Sequence, residues 1–393
     1  MTKDRFKIVL LGPISPFKGG ISAFNTSLAE ELSRSGHDVY PVAWKNGLIG
    51  VSRTDQIDES MSVHPKAQFI LKWYSPRTWR CAAVYCASLS PDLLVAHWTV
   101  PEVAPVYAAI ISAFKRRNLN TAIAYIVHNA EPHEPRIGDQ FMRWLGFRGV
   151  SHFLLHAHSE NKKFFESIPQ NKIRIGFHPI YDRYLSVNVS ATPLSTNRHF
   201  PDWFNTSRNF PVLLFFGFVR PYKGLDLLLK AMVHFKEARL IVAGQISKAC
   251  LSVRDQTDKL GISGRVYWLD RYIADSEVAE IFTAVDVVAL PYQSGTQSGV
   301  ASLAFAFDVP VVATNVGGLG EAIETGVTGY IVPPCDSYGF AQALRDAYEN
   351  RVSLKNGIRR NKKARSWARY CDILLSCIGR NASDVRSTGI KTR

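Results

Sequence analysis

The sequence holds no apolar run of the roughly 18 residues that a membrane-spanning helix needs. The longest candidate, residues 103–114, carries Pro105 and stops early. The N-terminus, MTKDRFKIVLLG, passes from charges straight into a short strand and a glycine, without a signal peptide's apolar core and small-residue cleavage site. Both features place the expected location in the cytoplasm. Six cysteines are scattered over the chain and none forms a Cys-x-x-Cys pair, which argues for reduced thiols rather than a disulfide frame or zinc site. No Asp-x-Asp occurs, so a metal bridging a diphosphate is not indicated. There is no G-x-G-x-x-G, and the dinucleotide fingerprint is absent. No RRM, KH or zinc-finger pattern is present either.

What the chain does have is length, charge and an alternating pattern. Its 393 residues exceed what one core usually supports, so two domains are expected. The formal charge is +14, and much of it lies late: from Arg351 onward twelve Lys or Arg face only Asp372 and Asp384. Such a tail suits nucleic acid or an anionic membrane surface, or is simply solvated. Without a nucleic-acid signature the membrane or an acidic ligand is favoured.

Short apolar runs alternate with helix-period segments. Residues 6–11 read as a buried parallel strand, and a helix from about Ser22 places Phe24, Leu28 and Leu32 on one face and stops at Gly36. The pair Gly19-Gly20 sits at the strand-to-helix turn. Further strands are expected at 39–43, 92–96, 123–127, 152–156 and 173–176, with helices over 75–89 and from Asp139. His97 and His128 each follow the end of a strand, and a satisfied structural group is the plainer reading of His97. Residues 45–66 read as a loop, and 186–210, rich in Ser, Thr, Asn and Pro, as a linker. The pattern restarts with strands at 212–216, 239–243, 265–269, 287–290 and 309–313 and helices at 224–235, 276–284, 340–348 and within 354–378. Repeated β and α units predict an α/β fold of two doubly wound, Rossmann-like domains.

Two stretches carry chemistry. In FFGFVRPYKG a buried strand ends at Gly217 and a helix begins near Gly224, so Arg220 and Lys223 lie beside a helix N-terminus. Two cations and a helix dipole form a cradle for a diphosphate. The segment from Asp286 to Pro334 runs strand, small-residue loop, helix, strand, small-residue loop, which brings backbone N–H groups to the carboxyl edge of a sheet. Aromatic and basic residues interleave twice, at Lys72, Trp73, Tyr74, Arg77, Trp79 and Arg80, and at Phe141, Arg143, Trp144, Phe147 and Arg148. Surfaces of that kind seat on anionic headgroups, although core aromatics with solvated cations are the commoner arrangement.

Taken in order, FFGFVRPYKGLDLLL, SGTQSGVASLAFAFDVPVVATNVGGLGE, TGVTGYIVPP, PFKGGIS and the strand-end His128-Asn129 resemble the retaining glycosyltransferases of family 4 over roughly residues 6–345. The resemblance implies the GT-B architecture, two Rossmann-like domains facing a cleft, with the acceptor mainly on the first and the sugar nucleotide mainly on the second. The expected division is 1–185, a linker region at 186–210, 211–350, and a basic helix and tail over 351–393. It implies that Gly19 and Gly20 let the first loop approach the diphosphate and sugar, and that His128 sits by the donor sugar. Arg220 and Lys223 would bind the diphosphate beside Gly217, and residues 270–272, with Asp270 and Tyr272, would line the base. Gln297, Ser298, Gly299 and Val300 would meet sugar, ribose or phosphate. Glu321 is either a sugar or ribose contact or an acid favourable to its helix dipole. His133 and Glu134 would form an acceptor-side pair.

One departure stands out. The family carries two glutamates separated by seven residues, and alignment on Val309-Pro310-Val311 puts Gly295 and Leu303 there, with a TQSGV loop between. The implied activity is a metal-independent, retaining hexosyltransferase, its co-substrate a nucleotide-diphosphate sugar and no other cofactor. The implied acceptor is a lipid-linked or glycan group in cell-surface polysaccharide or glycolipid synthesis, at the inner face of the membrane. A non-catalytic sugar-nucleotide-binding or assembly protein of the same fold is the alternative.

Overall fold

The computed structural model describes residues 5–45, 57–58, 61–117, 120–128, 138–159, 168–185, 210–295 and 297–378. The proposed pair His133 and Glu134, nearly all of the expected linker and the last residues of the tail lie outside them. The chain divides into two compact units.

The first unit holds the described parts of Met1–Leu155, Phe165–Gly176 and Ala368–Arg393. Its elements are β1 (Lys7–Leu11), α1 (Gly20–Arg34), β2 (Asp38–Trp44), β3 (Gln68–Leu71), α2 (Pro76–Ser88), β4 (Leu93–Trp98), α3 (Ala104–Arg116), β5 (Ala122–Val127), α4 (Asp139–Phe147), β6 (His152–Leu155) and β7 (Ile173–Ile175). The strands form one parallel sheet in the order β3-β2-β1-β4-β5-β6-β7. Parallel strands covered on both faces read as unbroken apolar runs, and Ile8, Val9, Leu10 and Leu11 have no exposed surface. The order reverses between β1 and β4, which defines a switch point at the carboxyl edge.

The second unit holds the described parts of His156–Phe164 and Phe177–Trp367. It contains β8 (Val212–Phe216), α5 (Leu225–His234), β9 (Arg239–Ala243), α6 (Val253–Lys259), β10 (Val266–Leu269), α7 (Asp275–Thr283), β11 (Val287–Leu290), α8 (Gly299–Ala306), β12 (Val311–Thr314), α9 (Leu319–Ala322), β13 (Gly329–Val332), α10 (Ser337–Glu349) and α11 (Arg351–Lys362). Its parallel sheet runs β10-β9-β8-β11-β12-β13, with the reversal between β8 and β11. The core joins strand residues such as Leu213, Phe215 and Val312 to the inner faces of α5 and α10.

The partition differs from the expected division into 1–185, 186–210, 211–350 and 351–393. Residues 177–185 group with the second unit, where Tyr181 packs on Trp367 with ring centroids 6.0 Å apart and the Ile180 N–H donates to the Arg365 carbonyl at 3.1 Å. The last helix, α12 (Trp367–Leu375), returns from Ala368 to the first unit, where Tyr370 meets Phe24 edge-on at 5.5 Å.

Much of the basic segment is no tail. In α11 Leu354 and Ile358 are buried, and a Cβ on Gly357 would lie 2.0 Å from the Val327 carbonyl, so the helix is seated against the core. Arg359 and Lys362 both pair with Asp308, at 2.7 and 2.6 Å. Burial lowers the Arg365 pKa, and its guanidinium lies over the Phe305 ring at 5.8 Å. These cations have partners within the second unit.

Candidate functional site

In the second unit the loops after β8 and β11 flank the switch point. β8 ends into Gly217, whose φ of +90° and close approach to Gly244 suit glycine: a Cβ on Gly244 would lie 2.2 Å from the Gly217 carbonyl. Arg220 follows on the surface, and Pro221–Lys223 form one 3-10 turn. Gly224, at φ +65°, then starts α5; a Cβ there would lie 2.0 Å from the Pro291 carbonyl. The turn therefore packs directly on the end of β11, and the Gln293 N–H donates to the Tyr222 carbonyl at 2.7 Å.

This folding drives Lys223 inward. The residue is only 9% exposed, with its ammonium 5.8 Å from the centre of the Tyr292 ring and close above Gly217. Burial, helped by the nearby Arg220 charge, brings its pKa down to about 8. Among the described residues neither Arg220 nor Lys223 enters an ion pair. A buried ammonium without a carboxylate is unfavourable unless something anionic arrives.

Across the switch point, Tyr292 is buried and its hydroxyl lies 3.3 Å from Ser298 Oγ. Thr314 Oγ1 donates to the Tyr292 carbonyl and ties the loop to β12. Ser298 precedes α8, and no side chain caps that helix. The first N–H groups of α8, from Gly299 and Val300, therefore have no side-chain partner from Ser298. Gln297 and Gly299 are half-buried. Where the family's second glutamate would sit, Leu303 is 6% exposed and part of the core.

Two expected donor residues have structural partners. Asp270 accepts from the Ile246 N–H at 2.8 Å and from Arg254 at 3.2 Å, which clamps the ends of β9 and β10 together. Glu321 accepts the backbone N–H groups of His158 and Ser159 at 2.7 and 2.6 Å. Burial works against its charge, but these amides outweigh it and hold the pKa below the usual range. Neither of the two roles expected for Glu321 anticipates this anchor. Tyr272 is half-buried beside Arg271, which pairs with Glu277.

In the first unit Gly19 precedes α1 at φ +116° and ψ 157°, with open space where its Cβ would be, as has Gly20. The start of α1 has neither an acidic side chain in its first turn nor a side-chain cap. The loop before it is pinned by Ser15, whose N–H donates to Thr26 Oγ1 at 3.0 Å. His97, at the end of β4, is fully buried, and burial lowers its pKa to about 3. Its Nδ1 lies 2.8 Å from Nε2 of His128, the residue after β5, and its Nε2 lies 2.9 Å from Oδ1 of Asn25. Phe24 meets both rings edge-on. Asn25 did not emerge from the sequence; a polar residue on the apolar face of α1, beside Phe24 and Leu28, is the signal that marks it.

Among described elements, α4 turns Gly146 and Phe147 inward onto Trp98 and leaves Phe141 and Trp144 exposed, with Arg148 over the Trp144 ring at 4.8 Å. Trp73 and Tyr74 are also exposed, whereas Trp79 donates its indole N–H to the Lys72 carbonyl. No helix among the described residues is long and apolar enough to cross a membrane.

Comparison with known proteins finds similarity at the level of sequence family and fold. Residues 210–350 match the family model "Glycosyl transferases group 1". A D-inositol 3-phosphate glycosyltransferase of Mycolicibacterium smegmatis is 32% identical over 181 residues, 45% of this chain, and the match spans 42% of that relative's length. Among solved structures, Anabaena HepE in complex with UDP-glucose aligns with 95% of this chain and all of its own, at TM-score 0.70 and 17% identity. Sucrose-phosphate synthase from Thermosynechococcus elongatus aligns with 94% of this chain and 98% of its own, at TM-score 0.67 and 17% identity. At those identities the likeness is one of fold: two Rossmann-like domains of the GT-B class.

Proposed function

We propose that the chain is a glycosyltransferase that draws on a nucleotide-diphosphate sugar. The observation that carries this reading is the cation pair Arg220 and Lys223, one of them buried, at the switch point of a unit that matches the group 1 glycosyltransferases. A diphosphate supplies the counter-charge that Lys223 lacks among the described residues. Gly217 lets it approach the backbone, and the first N–H groups of α8, from Gly299 and Val300, add donors. As the sugar–phosphate bond breaks, negative charge grows on the leaving phosphate, and fixed cations aimed there favour the transition state over the ground state.

The finer assignment is a retaining, metal-independent transfer in which the acceptor hydroxyl attacks on the face the phosphate leaves. His128, with Gly19 and Gly20, is assigned to the sugar; Gln297 and Ser298 to sugar or ribose; Tyr272 and Asp270 to the base. The acceptor is a lipid-linked or glycan hydroxyl, reached at an anionic membrane surface through the exposed aromatics and cations of the first unit. The solved complexes of HepE with UDP and UDP-glucose make uridine nucleotides the first donors to test.

Leu303 and Gly295 favour a second reading, a sugar-nucleotide-binding protein without transfer, because neither side chain can accept from a ribose hydroxyl. The deciding experiment incubates the chain with labelled nucleotide sugars and a lipid and glycan acceptor panel, with NMR of the anomeric proton in any product. Transfer with the donor's anomeric configuration kept supports the first reading. Binding without transfer to any acceptor supports the second, and an inverted product overturns retention.

A further inference from the structure

Between the backbone of β1's loop and His128 runs a chain of three hydrogen bonds, all in the first unit. Asn25 Nδ2 lies 2.9 Å from the Pro13 carbonyl, Asn25 Oδ1 lies 2.9 Å from His97 Nε2, and His97 Nδ1 lies 2.8 Å from His128 Nε2. Asn25 and His97 have no exposed surface, so water cannot exchange for any partner. The planes of the two imidazoles are inclined by 15° with centroids 5.1 Å apart, a separation that a 2.8 Å contact between ring nitrogens facing each other allows.

The direction of this chain follows from its first member. A carbonyl oxygen only accepts, so Asn25 must turn its NH₂ toward Pro13 and its oxygen toward His97. That oxygen also only accepts, so His97 carries its proton on Nε2. A neutral ring has one N–H, which leaves Nδ1 of His97 as a lone pair, and the proton between the rings belongs to His128 Nε2. The opposite assignment would set two lone pairs 2.8 Å apart inside the core.

We propose that Asn25 and His97 are positioning residues that lock His128 as the Nε2–H tautomer, so that its Nδ1 is the nitrogen that accepts a hydrogen bond or a proton. Phe24, edge-on to both rings at 5.9 and 5.1 Å, holds the ring planes. Tyr107 fixes the strand beneath by donating to the His97 carbonyl at 3.2 Å. The lock is a property of the fold and does not depend on any activity. Its use, presenting an acceptor to a hydroxyl of the donor sugar, rests on the proposed role of His128.

The test is long-range ¹H–¹⁵N correlation of the imidazole nitrogens in the full chain, labelled on histidine, at pH 8. Both His97 and His128 are expected as Nε2–H tautomers. In Asn25→Leu, which removes the acceptor while keeping the volume apolar, both rings should lose that preference together, with either populated inversion or exchange broadening. A wild-type His128 protonated on Nδ1 overturns the proposal outright, whether or not the variant folds. So does an Asn25→Leu chain of native circular dichroism whose His128 tautomer is unchanged. Because no ligand is added, a failure here is separate from a failure to bind any nucleotide sugar.

Discussion

Replacing Lys223 with Met keeps the length and apolar stem of the side chain and removes only the ammonium. Burial lowers the lysine's pKa from 10.5 to about 8, which corresponds to a bias of about 3 kcal/mol against the charged form in the fold. Between pH 8 and 10.5 the unfolded chain binds more protons at this position than the folded one, so wild-type stability should rise with pH through that window. Below pH 8 the full penalty is present. At pH 7 the methionine variant should therefore unfold at higher urea, by up to about 3 kcal/mol, and its advantage should shrink toward pH 10. The same variant should bind UDP about 10²-fold more weakly, as expected for losing charge-assisted bonds to a diphosphate. Urea titrations at pH 7 and 10 read the first effect and calorimetry the second. A variant less stable than wild type at pH 7 that still binds UDP normally would refute the account of this buried cation.

Four further outcomes follow from the same contacts. Lys223→Ala should lower turnover by at least ~10²-fold in any transfer assay, through lost transition-state charge stabilisation. Gly224→Ala should cost several kcal/mol in urea unfolding, beyond the ~1–3 kcal/mol of a strained backbone position, because its Cβ would overlap the Pro291 carbonyl. Glu321→Ala should destabilise by about 1 kcal/mol by freeing the His158 and Ser159 amides, and the wild-type anchor should be lost only as pH falls through the lowered Glu321 pKa. Phe141→Ser with Trp144→Ser should weaken sedimentation with phosphatidylglycerol vesicles without changing UDP affinity; unchanged vesicle binding would remove that surface from the account.

The buried strands were legible because parallel strands are apolar along their whole length, and β8, β9 and β11 fall on the expected residues. Short or atypical elements were not. β3, at the sheet edge, has only four residues, and α6 is largely polar. α3 has six buried residues and looked at first like a failed membrane span. The cations of α11 resembled a solvated tail because their partner Asp308 lies about 50 positions earlier, and no local pattern reports such a pairing. The same holds for α12, whose return to the first unit depends on Tyr370 meeting Phe24. In the candidate site, Arg220 and Lys223 were found from a strand end and a helix start. The depth of Lys223 was not, since it follows from the close packing of Gly224 on Pro291. Asn25 and the direction it imposes on two histidines are likewise products of tertiary contact.

The central claim is that Arg220 and Lys223 form a diphosphate grip at the switch point of the second unit. Isothermal titration of the wild-type chain with UDP-, ADP- and GDP-sugars, repeated on Arg220→Ala with Lys223→Ala, tests it most directly. The account predicts saturable binding of at least one nucleotide sugar and its loss in the double variant while circular dichroism is unchanged. Equal binding by both chains, or no binding of any nucleotide sugar or free diphosphate by the wild type, would contradict it.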